Sequence, residues 1–80
     1  GFTAFVSWHG TMQQQVLRSL FPEDDVQDIR HSPIKSFAHI DFNSLDALNR
    51  ALKKHGLPLQ NYGVIGNLRV ERGRPRGNNN

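Results

Sequence analysis

The sequence predicts an α+β sandwich in which four antiparallel strands and two helices follow the order β-α-β-β-α-β. Three observations carry that expectation. Residues 3–7 and 36–42 alternate apolar and polar side chains with the period of two that marks half-buried strands. Residues 12–21 and 45–52 repeat apolar side chains at helical spacing. Two amphipathic helices can cover only one face of the sheet those strands make, so the other face is left to solvent.

Length and composition bound the remaining choices. Eighty residues make room for one core and no second domain. Without cysteine, neither a disulfide framework nor a cysteine-rich zinc site is available, and the fold must hold by apolar packing and backbone pairing. No apolar run approaches the ~18 residues of a membrane span, and GFTAFVSWHG lacks the basic flank and apolar stretch of a leader, so a soluble intracellular domain is expected. The net charge of +3 and a pI near 10.0 favour an acidic partner. That charge is uneven: Glu23, Asp24 and Asp25 sit together, while Arg69, Arg72, Arg74 and Arg76 crowd the last stretch, where they are placed to face a phosphate backbone or simply solvent.

Taken in order, Thr3 to Ser7 reads as the first strand, with Ala4 and Val6 on one face and Thr3, Phe5 and Ser7 on the other. His9-Gly10 breaks it. Thr11, with Gln14 three residues on, has the form of a capping box, and the helix it opens runs to about Phe21, stopped by Pro22. Met12, Val16, Leu17, Leu20 and Phe21 are its buried stripe. Val26 to His31 reads as a second strand ended by Ser32-Pro33, since proline lacks the donor a sheet needs. Ser36 to Phe42 is the cleanest alternation in the chain: Ala38, Ile40 and Phe42 inward, Phe37, His39 and Asp41 outward. Asn43 or Ser44 caps a second helix whose buried face is read as Leu45, Leu48, Ala51 and Leu52, with Gly56 as its stop. Residues 57–66 are irregular, and Leu68 to Arg72 closes the sheet with Leu68 and Val70 inward, Arg69 and Glu71 outward. Residues 73–80, rich in Arg, Gly and Asn, cannot pack a core and are expected to form a flexible tail.

Two phenylalanines, Phe5 and Phe37, thus fall on the side the helices cannot reach. The octamer around the second of them, KSFAHIDF at 35–42, resembles the third-strand octamer of RNA-recognition motifs, and AFVSWH at 4–9 is similar in its first half to that family's first-strand hexamer. The resemblance covers about residues 3–72 and includes FNSLDALNRAL and the closing GNLRVERGRPR. It implies the ferredoxin-like fold, with the first and third strands as central neighbours, and single-stranded RNA as the ligand. Phe5 and Phe37 would then stack bases, Lys35 and Arg69 would meet phosphate or base edges from the rim, and Asp41 would accept from a base amino group. Ser7, Trp8 and His39 complete the expected surface, with Arg72, Arg74 and Arg76 as outlying backbone contacts. His39 stands where the family has a second aromatic, Ser36 where it has Gly, and Trp8-His9 where it has Asn-Leu, so a reduced platform and modest affinity are expected.

The bland alternative for the outward rings is packing under a partner chain, and an interaction or homodimerisation domain of the same fold is the main rival reading. Trp8 serves equally well as a core lid. His39 and Asp41 share a strand face, but no nucleophile, HExxH or phosphate-cradling glycine motif accompanies them, and no enzyme, metal or cofactor is expected. A monomer or weak dimer, working as a module of a larger RNA-processing or RNA-regulatory protein, is the expected context.

Overall fold

A computed structural model describes residues 1–73. Its strands and helices are β1 (Phe2–Ser7), α1 (Gln14–Ser19), β2 (Val26–His31), β3 (Phe37–Phe42), α2 (Leu45–Leu52) and β4 (Arg69–Arg72). The element order is the expected one. All strands pair antiparallel in the spatial order β2-β3-β1-β4, so β3 and β1 are the central neighbours. The tail beyond Gly73, with Arg74 and Arg76, lies outside the described residues. No helix among the described residues is long and apolar enough to cross a membrane.

Alternation builds the core. Ala4 and Val6 on β1, Ala38, Ile40 and Phe42 on β3, and Val70 on β4 are all buried beneath the helices, where Leu17, Leu20, Phe21, Ala47, Leu48 and Ala51 meet them. The helices are tied at one end by Lys54, whose ammonium lies 5.6 Å from the Phe21 ring centroid and donates to the Leu20 carbonyl at 2.5 Å. That carbonyl belongs to the unsatisfied last turn of α1, where a cation is favourable.

Three expectations are corrected. The first helix begins at Gln14 rather than after Thr11, and its N-cap Gln13 makes no side-chain cap. The physical reason is Met12: it is buried, Gly10 turns the chain at a φ of 79° and Gln13 is still extended, so helical bonding starts only with Val16 and Leu17 donating to the Gln13 carbonyl. In α2, Ser44 caps as expected, accepting from the Ala47 amide at 3.1 Å. Its buried face, however, is centred on Ala47, Leu48 and Ala51, which turns Leu45 to the rim at 48% exposure. The stretch read as irregular is ordered: a short 3-10 turn spans Gln60–Tyr62, Pro58 bridges Asn67, and Leu59 and Val64 join the core. The apolar residues of this stretch, broken up by Pro58, Gly63 and Gly66, follow no helical or strand period, so the burial of Leu59 and Val64 comes from tertiary context.

Candidate nucleic-acid interface

Register across the sheet fixes what the uncovered face presents. Ser7 opposes Phe37 on one side and Arg69 on the other, making one row. The next row runs Arg30, His39, Phe5, Glu71 across all four strands. The third holds Asp28, Asp41 and Thr3. Directly opposed residues on one face of an antiparallel pair sit close enough to interact, and here they assemble three rings. The Phe5 and Phe37 centroids are 5.6 Å apart with planes 32° apart, and His39 lies 5.3 Å from Phe5 and 6.1 Å from Phe37. Phe5 and His39 are half-buried by their neighbours, and Phe37 is 37% exposed at the edge of the cluster. The Lys35 ammonium reaches over Phe37, 5.9 Å from its centroid.

The charges around the rings are largely committed to one another. Asp41 accepts from the Thr3 hydroxyl at 2.6 Å and pairs with the Arg30 guanidinium, which also lies 3.9 Å from Asp28. Across the sheet, the Arg69 Nε donates to Glu71 at 2.7 Å. Three cations, Arg30, Lys35 and Arg69, are therefore matched by three carboxylates, Asp28, Asp41 and Glu71, and the face is close to electrically neutral. Such a surface offers a flat ligand π-contact first and phosphate attraction second. Titration is perturbed elsewhere: on the helix side, the Arg50 guanidinium donates to both carboxylate oxygens of Asp25 and holds that carboxyl below its ordinary range.

The sequence-predicted residues divide by position. Phe5, Ser7, Phe37, His39, Asp41 and Arg69 share the open face, with Lys35 at its rim. Trp8 does not: it continues the inward alternation of Ala4 and Val6, is 6% exposed, and meets the His31 ring edge-on at 5.4 Å, so it belongs to the core. Arg72 opposes the inward-facing Ala4 and follows Val70 by two, which places it on the helix side of the sheet at the strand end. Both Asp41 oxygens already accept, one from Thr3 and one from Arg30, so this carboxylate is engaged within the sheet. Arg30 is the residue sequence reasoning missed. The register of β2 shifts between Val26 and Asp28, and such a bulge changes which residues face out, so counting twos along the strand cannot find it.

No protein-family model matches the chain, and no curated protein does. Among solved structures, the chain is similar to the RRM domain of S. pombe Puf1, with a TM-score of 0.69 and 18% identity over 94% of this chain and 99% of that one. The chain has the RRM fold: the β-α-β-β-α-β order and the antiparallel sheet β2-β3-β1-β4 with two helices.

Proposed function

We propose that the chain binds single-stranded RNA on the open face of its sheet, as an RNA-binding module of a larger RNA-processing or RNA-regulatory protein. The observation that carries this reading is the cluster of Phe5, Phe37 and His39, three rings within about 6 Å of one another on the one face the helices leave uncovered. Cross-strand ring contacts add only ~0.2–1 kcal/mol to a sheet, whereas a base stacked on each phenylalanine is worth ~1–3 kcal/mol. Every base has a π-face, so stacking gives affinity before sequence choice. Lys35 and the terminal nitrogens of Arg69 would meet the phosphates from opposite sides of the platform. No step here is catalytic.

The test is Phe37→Ala in a titration with single-stranded RNA. A loss of ~1–3 kcal/mol in binding, with the fold intact, supports the platform. Unchanged affinity in both Phe37→Ala and Phe5→Ala rejects it.

The near-neutral charge of the face favours a second reading, in which the same rings dock a protein or a second copy of this chain. Salt separates the two. RNA binding weakens as salt rises because counterions are released, while an apolar contact does not. Light scattering of the free chain detects the dimer directly.

A further inference from the structure

Beside the platform, at the end of the sheet where β1 finishes and β4 begins, lies a groove of about 490 Å³. Its walls include Ser7, His9, Asn67 and Arg69, with Trp8 and Leu68 among the apolar residues that line it. We infer that this groove is a nucleotide subsite, continuous with the stacking platform, that takes the nucleotide flanking the two stacked bases. The inference rests on the RNA-binding reading above and extends it to residues off the sheet.

Continuity is the first argument. Ser7 and Arg69 belong both to the groove and to the row that begins at Phe37, so the path from the exposed ring into the groove crosses only two strand spacings, ~10 Å. A single strand stacked on Phe37 meets this groove next.

Available hydrogen-bonding capacity is the second. Among the described residues, the side chains of Ser7, His9 and Asn67 make no hydrogen bond to the protein, and Arg69 uses only Nε, toward Glu71. A hydroxyl, an imidazole, an amide and two guanidinium nitrogens therefore surround one concavity with their capacity unspent, beside the Glu71 carboxylate that Arg69 already neutralises. Phosphate and ribose hydroxyls are recognised by that mixture of donors and acceptors. By contrast His55, on the far wall, is already engaged, its Nδ1 accepting from the Val70 amide at 3.1 Å and so closing part of the outer edge of β4.

Placement of His9 is the third. A Cβ built on Gly66 would stand 3.1 Å from the His9 Cδ2, and Gly66 adopts a φ of 89°, so glycine at this position lets the loop before β4 pass close to the imidazole without strain.

The experiment compares the dinucleotide UpU with the pentanucleotide U5 in NMR titrations of the full chain, wild type against His9→Ala/Asn67→Ala. Both residues are exposed, and thermal unfolding checks that the variant stays folded. The expected result is a weakening of U5 by about fivefold to tenfold with UpU unchanged. In the wild-type protein the amide signals of His9 and Asn67 should move with U5 and stay still with UpU. Equal weakening of both ligands, no weakening of either, or silent His9 and Asn67 signals overturns the subsite. Phe37→Ala, titrated in parallel, weakens both ligands if the platform holds. If it weakens neither, the platform reading itself fails and the continuous site fails with it.

Discussion

Phe37 and Phe42 stand five residues apart on the same strand and do opposite work. An odd spacing sends them to opposite faces: Phe42 is 1% exposed and meets Phe21 edge-on at 5.7 Å, while Phe37 is 37% exposed and meets Phe5, His39 and the Lys35 ammonium on the open face. Full burial of an aromatic ring stabilises the fold strongly, whereas a ring held on the wet side contributes less to folding. The contrast has a direct consequence for truncation. Phe42→Ala is expected to cost ~3–5 kcal/mol in urea or thermal unfolding, which is a large part of the ~5–15 kcal/mol that holds a small domain together. Phe37→Ala is expected to cost no more than ~1 kcal/mol, the scale of the cross-strand ring contacts it loses. Equal losses from the two would erase the distinction between the faces.

Binding should show the reverse order. Phe5→Ala and Phe37→Ala each should lose ~1–3 kcal/mol of affinity for single-stranded RNA, read by fluorescence anisotropy, without shifting the unfolding midpoint by a comparable amount. His39→Phe sharpens the point in the other direction. A six-membered ring at that position enlarges the stacking area between β3 and β1, and tighter binding by up to ~1 kcal/mol is the expected outcome. If affinity falls instead, the imidazole is acting through hydrogen bonding and the platform is not simply a set of rings.

The two faces were unequally legible in the sequence. The central strands were readable because β1 and β3 obey strict alternation, and both end where a period-two pattern meets a glycine or a capping serine. From that pattern Phe5, Phe37 and His39 could be placed on one side. Their separations could not, because the pairing of Ser7 with Phe37 is a matter of register. β2 was harder: its bulge after Val26 sends Val26 and Ile29 to the same face although they are three residues apart, hiding Arg30. For Trp8, left open between core lid and base contact, and for Arg72, named as an outlying contact, strand position decides. Each lies at the end of a strand whose alternation, if extended by one step, already assigns it to the helix side. The start of the first helix alone was misread, where burial of Met12 outweighed a good capping pattern, since a cap is worth ~1 kcal/mol and a buried methionine more.

Charge provides a smaller effect that separates the sheet from the tail. Arg30 and Arg69 are held by carboxylates on the same face, so a phosphate arriving there must compete with Asp41 and Glu71. Most of the salt dependence of RNA binding is then expected from Lys35 and from cations off the sheet. Replacing Arg72, Arg74 and Arg76 together by glutamine should lower the slope of log affinity against log salt by at most ~2, about 0.7 for each phosphate no longer neutralised, and weaken all sequences alike. Lys35→Ala should remove less than one further unit. An unchanged slope in the triple variant would exclude the tail from the interface and leave the stacking face to act alone.

The smallest expected effect lies on the side away from the rings. Arg50 in α2 donates from Nη2 at 2.9 Å and from Nε at 3.1 Å to the two oxygens of Asp25, in the turn that leads into β2, and that hydrogen bonding holds the carboxyl below its ordinary 3.8. A carboxyl depressed in the folded state binds its proton more weakly there than in the unfolded chain. Its contribution to stability is therefore complete above the unfolded value and disappears as pH falls through the lower folded value. Arg50→Ala should be slightly less stable than wild type at neutral pH, and the two unfolding midpoints should converge in acid, once pH has fallen through the lowered folded value. Affinity for RNA should be the same in both proteins at neutral pH, because the pair shares no row with Phe5 or Phe37. A loss of affinity on removing Arg50 would mean that the helix side, with its own exposed cations, also meets the ligand, and the division of labour between the two faces would have to be redrawn.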